Sequence, residues 1–81
     1  FNPETWIPFE LNQDSDVSLT IYDLTGQQVR TLVSGEAMAA GAYQRQWDGR
    51  NSEGSQVASG VYFFVLKAGT FTSNRKMILL Q

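Results

Sequence analysis

The chain has 81 residues, a formal net charge of -2, no cysteine and no histidine. These absences exclude a disulfide framework, a thiolate metal site and any catalytic scheme built on an imidazole base. With 42% hydrophobic and 12% aromatic residues, the chain can build one modest core and hence one domain. The six basic and eight acidic residues are spread along it, leaving no concentrated footprint for nucleic acid or an anionic membrane surface.

The longest apolar run, Val61 to Leu66, falls far short of the ~20 residues a membrane-spanning helix needs. The chain starts at Phe1-Asn2-Pro3 with neither methionine nor a charged-then-apolar leader, and it reads as a piece excised from a larger secreted protein.

Along the chain, period-two alternation dominates. Ile7, Phe9 and Leu11 alternate with Pro8 and Glu10, which predicts a half-buried strand at an edge, since proline cannot donate to a ladder. The polar run Asn12 to Asp16 supplies a turn, and Val17, Leu19 and Ile21 alternating with Ser18, Thr20 and Tyr22 predict the second strand. Asp23-Leu24-Thr25-Gly26 reads as a tight turn, with Val29 to Val33 as the return strand. Ser34 to Gly41 has glycines near both ends and is expected to be a loop carrying at most one helical turn.

Tyr43, Arg45 and Trp47 share one face of the next strand and Gln44 and Gln46 the other. Then comes a turn-rich stretch from Trp47 to Tyr62, containing Asp48, Gly49, Gly54 and Gly60. Val61 to Leu66 is apolar on both faces, as in a central strand or one whose outer face meets a partner. Ala68-Gly69 is the last hairpin turn, and the terminal strand runs from Thr70 or Phe71 to Leu80. Six or seven short strands spaced by about 8–12 residues predict an all-β, immunoglobulin-like antiparallel β-sandwich. Tyr62, near a strand start, is either a tyrosine corner bonded back to the preceding loop or a partly buried core residue.

The search for chemistry yields mainly absences. Asp14 with Asp16, or Asp48 with Glu53, would be carboxylate pairs, but they sit in turn-like segments where a carboxylate usually accepts backbone N–H groups. No enzyme is expected, and no cofactor. Asp48, Asn51 and Glu53 offer oxygen ligands for calcium within six residues, although their spacing is not that of an EF-hand and an Asx-type turn accounts for the same residues. Gly49, Gly54 and Gly60 are turn-formers, since no helix follows whose N-terminus would hold a phosphate.

Four segments in order carry a resemblance. They are residues 1–9 (FNPETWIPF), 17–26 (VSLTIYDLTG), 47–50 (WDGR) and 58–63 (ASGVYF). They resemble the C-terminal sorting domains of type IX secretion cargo and the related immunoglobulin-like domain of flagellar hook-capping proteins. The resemblance covers essentially the whole chain and separates the two branches poorly.

It implies one C-terminal module over residues 1–81, noncatalytic, exported through the periplasm to a secreted or cell-surface location. The outer-membrane export machinery or neighbouring domains of the parent chain would be its protein partners, with the domain monomeric in isolation. The family's terminal lysine-plus-apolar ending matches Lys76, Met77, Ile78, Leu79, Leu80 and Gln81, the candidate recognition strand, although Gln81 replaces the basic residue that often ends a sorting signal. The alternative is an assembly, adhesive or carbohydrate-contacting sandwich of the hook-capping type.

Overall fold

A computed structural model describes residues 5–80. Gln81 and residues 1–4 of the first resembling segment lie outside them. Six strands follow one another: β1 (Thr5–Leu11), β2 (Ser15–Asp23), β3 (Gln28–Met38), β4 (Gly41–Trp47), β5 (Gly60–Ala68) and β6 (Phe71–Leu79). They form two antiparallel sheets, a two-stranded β1-β4 and a four-stranded β3-β2-β5-β6. The chain crosses between sheets after β1, β3 and β4, while β2-β3 and β5-β6 are hairpins within the larger sheet. This is the expected sandwich.

Alternation decides which residues meet in the middle. Ile7, Phe9 and Leu11 of β1 and Trp47 of β4 face Val17, Leu19 and Ile21 of β2, Val33 and Met38 of β3, Tyr62, Leu66 and Ala68 of β5 and Leu79 of β6. Phe9 stacks on Tyr43 with ring centroids 5.5 Å apart, and the Tyr43 hydroxyl donates to the Ala39 carbonyl at 2.6 Å. β1 is an edge strand, as Pro8 requires, and β5 is central, as its double-sided apolar run implies.

The stretch Ser34 to Gly41 departs from its expected loop. β3 continues through it to Met38, pairing Glu36, Ala37 and Met38 with Val17, Asp16 and Ser15. Pairing with β2 and burial of Met38 override local propensity here. The irregularity that the glycine suggests is a β-bulge, with the register shifting between Val17 and Leu19. Gly35 takes φ +60° and its N–H donates to Ser18 Oγ at 3.1 Å, so the extra residue leaves no unpaired donor.

Trp47→Ala is expected to lower stability by about 3–5 kcal/mol, because a fully buried indole leaves a cavity. Ile78→Ala, at a side chain 67% exposed, is expected to stay within about 0.5 kcal/mol. Urea denaturation of both variants beside the parent chain measures the contrast.

Candidate functional site

The segment from Trp47 to Tyr62 joins the small sheet to the large one, so its shape fixes how the sheets face each other. Trp47 is fully buried and meets Tyr62 edge-on, with ring centroids 5.3 Å apart. Its indole N–H donates to the Arg50 carbonyl at 2.9 Å, which gives the buried ring the polar partner it requires. Gly49 is buried at φ +76° and Gly54 has φ +86°, so both glycines supply backbone conformations that side chains resist. Gly60 opens β5 at φ +154°.

The loop's acidic and amide side chains are turned onto its own backbone. Asp48 Oδ1 accepts from the Arg50 N–H and from Arg30 Nη1, each at 3.1 Å. Asn51 Oδ1 accepts from the N–H groups of Glu53 and Ser55, each at 3.0 Å. Arg50 Nη1 reaches the Gly54 carbonyl at 2.8 Å, and the Ser52 N–H reaches the Val29 carbonyl at 3.1 Å. Of the three oxygen donors considered for calcium, Asp48 and Asn51 are therefore engaged as caps, with the Arg30 guanidinium already beside Asp48. The guanidinium also donates to the Arg50 carbonyl at 3.3 Å. Arg30 is the residue that sequence reasoning passed over, since a single arginine in a return strand gives no hint that it reaches a loop twenty residues ahead.

Asp23 organises the β2-β3 turn in the same way. Its Oδ1 accepts from the Thr25 hydroxyl at 2.7 Å, the Gln27 N–H at 2.9 Å and the Thr25 N–H at 3.0 Å. These bonds, the Thr25 hydroxyl foremost and then the Gln27 N–H, hold its carboxyl below the ordinary 3.8. Asp14 likewise accepts from the Ala40 N–H at 2.9 Å, the backbone-capping role expected of turn carboxylates. Tyr62 is the tyrosine corner: its hydroxyl donates to the Ala58 carbonyl at 2.6 Å, tying β5 to the loop before it. Burial first, and the nearby Asp23 charge second, push that phenol above the ordinary 10.0.

The candidate recognition strand divides by face. Leu79 is buried and Met77 half-buried against the core, whereas Lys76, Ile78 and Leu80 are exposed. Only alternate residues are thus available to a partner. Ile78 pairs with Val61 and Lys76 with Phe63 on the outer face of the large sheet, where Val61, Phe63 and Val65 remain half-exposed.

Two antiparallel sheets packed on an aromatic core and joined by a self-capped loop define the class: a small immunoglobulin-like β-sandwich domain. The FlgD Ig-like domain family model matches residues 3–71, and the chain belongs to that family. It is 42% identical over 60 residues to the basal-body rod modification protein FlgD of Salmonella typhimurium and equally to that of Salmonella typhi, covering 73% of this chain and 25% of each relative. The crystal structure of FlgD from P. aeruginosa matches at TM-score 0.73 and 28% identity, covering 94% of this chain and 60% of that one. The chain thus spans about a quarter of the length of the curated relatives it matches.

These matches correct two expectations. Of the two branches that the sequence resembles, the flagellar hook-capping one is supported and the type IX sorting one is not. The secreted or cell-surface location inferred from the sorting branch falls with it, because the relatives are basal-body rod modification proteins.

The two shifted groups set opposite limits on stability. A lowered carboxylate stabilises above 3.8, and that contribution is lost as pH falls through its folded value; a raised phenol stabilises below 10.0, and that is lost as pH rises through its folded value. Asp23→Ala is expected to lower the urea midpoint at neutral pH, with the difference closing on acidification below 3.8. Tyr62→Phe is expected to cost about 0.5–1.5 kcal/mol at neutral pH and to decline less steeply than the parent above pH 10.0. Urea titrations across pH test both.

Proposed function

We propose that this chain is an assembly domain of a longer hook-capping-type polypeptide, working by protein contact and not by catalysis. The match of the FlgD Ig-like domain model to residues 3–71 carries this reading. The self-capped loop from Asp48 to Ser59 supports it, because its hydrogen bonds hold the sandwich and leave the sheet surfaces for partners.

The contact surface we favour is the outer face of the large sheet toward β6, where Lys76 and Ile78 stand beside Val61 and Phe63. A half-exposed apolar strip flanked by polar side chains has the makeup of a protein interface more than of a small-molecule pocket. Residues of the proposed recognition strand then act by what they expose: Lys76, Ile78 and Leu80 outward, Met77 and Leu79 as the packing that holds the strand.

Grafting this chain in place of the matched region of Salmonella FlgD tests the reading in a strain lacking its own copy. The chimera is expected to restore hooks seen by electron microscopy, and Ile78→Asp in the graft to reduce them while lowering its folded stability by no more than about 1–2 kcal/mol. A stable, exported chimera that builds no hooks counts against the assembly role.

A further inference from the structure

The eight acidic residues all lie at or before Glu53, whereas Lys67, Arg75 and Lys76, half of the six basic ones, come after it. The β5-β6 hairpin therefore brings cations and no carboxylate to the large sheet. Folding then sorts these cations by face. Tyr62, Leu66 and Ala68 of β5 are buried, so Val61, Phe63, Val65 and Lys67 stand on the outer side of the sheet. Lys76 is opposite Phe63 and Thr72 is opposite Lys67, which places both on that side, whereas Arg75, opposite Phe64, is on the other.

The two lysines bracket an apolar strip. Phe63 lies between Tyr22 and Lys76, Val65 lies between Thr20 and Asn74, and Ile78 extends the strip beside Val61. Lys67 and Lys76 are exposed, and neither belongs to the ion pairs formed among the described residues, Arg30–Asp48 and Arg45–Glu36. Asp16, at the end of β2 remote from Tyr22, is the one carboxylate on this face among the described residues. Unneutralised cations beside apolar surface favour a partner that supplies the missing sign.

We propose that this face receives an acidic surface of a different protein, an apolar patch with carboxylates placed to meet Lys67 and Lys76, whose Cα atoms stand roughly 14 Å apart by sheet geometry. The proposal rests on the reading of this chain as an assembly domain and adds the chemistry of its partner. Nucleic acid is a poor occupant, since two lysines on a domain of net charge -2 are too few to hold a phosphate backbone. A second copy fits no better. Of its described carboxylates, Asp14, Asp23, Glu36 and Asp48 already hold donors of their own domain. The others, Glu10, Asp16 and Glu53, are scattered over β1, β2 and the loop after β4.

Photocrosslinking tests this on the full-length polypeptide in the cells that make it, with benzoylphenylalanine in place of Asn74, an exposed outer-face residue of β6 between Thr72 and Lys76. The crosslink is expected to join a second protein within a few residues of Asp or Glu. Lys67→Glu combined with Lys76→Glu is expected to cut its yield about tenfold. Changing those partner carboxylates to lysine is expected to restore the yield with the reversed variant and to lower it with the parent. Thr72→Glu and Thr72→Lys, at one exposed position beside Lys67, are expected to move the yield down and up respectively, whereas a folding defect would move both down. A crosslink to a second copy, to another domain of the same polypeptide, to lipid or to nucleic acid overturns the proposal. So does the absence of a crosslink, or a yield indifferent to the sign of charge on this face. The identity of the partner is a separate readout: a charge-matched partner that is no hook or rod protein overturns the assembly reading alone.

Discussion

The rest of the fold depends on the contact between Trp47 and Tyr62, at the end of the small sheet and near the start of a central strand of the large one. Each ring anchors itself to the loop that joins those strands, the indole through the Arg50 carbonyl and the phenol through the Ala58 carbonyl. Sheet spacing and loop shape are therefore set together. An apolar residue at either position would keep the area buried and lose the bond that tells the loop where to run.

Around that contact, short-range polar caps do what disulfides or a metal do in other small domains. Asp23 gathers three donors and Asn51 two from within four residues, whereas Asp48 takes one from the nearby Arg50 N–H and a second from Arg30 on β3 of the other sheet. Individually these bonds contribute modestly. Their collective effect is geometric, because a loop with so many of its N–H groups held by fixed acceptors has few alternative conformations to visit.

Much of this was legible in the chain because side-chain alternation and turn chemistry are local. The strands from Ile7, Val17, Tyr43 and Val61, the turn at Asp23 and the tyrosine corner at Tyr62 follow from residues within a few positions of one another. What was not legible depends on distant pairing. Ser34 to Gly41 reads as a loop until β2 is laid beside it, and then the glycine that argued against a strand becomes the bulge that lets the strand continue. Arg30 has the same character, since nothing near it in sequence announces Asp48. The choice between two resembling families was likewise beyond local reading, because the Trp47 loop and the Tyr62 strand that identify the superfamily stabilise the sandwich and carry no mark of what the sandwich is for.

Stability and interaction are thereby separated in space. The loop is closed on itself, whereas apolar surface remains on the outer side of β5 and β6 and in the trough beside β1. These two surfaces differ physically. The outer face is a finished sheet surface with its backbone groups paired on both sides along β5, so it offers a partner side chains alone, and specificity there depends on shape and on Lys76 and Ile78. The trough combines side chains with an open backbone edge, and an open edge binds any strand unless something restricts it. Pro8 is that restriction, because it removes a donor midway along β1 and leaves the edge attractive only to a segment whose own register avoids that position.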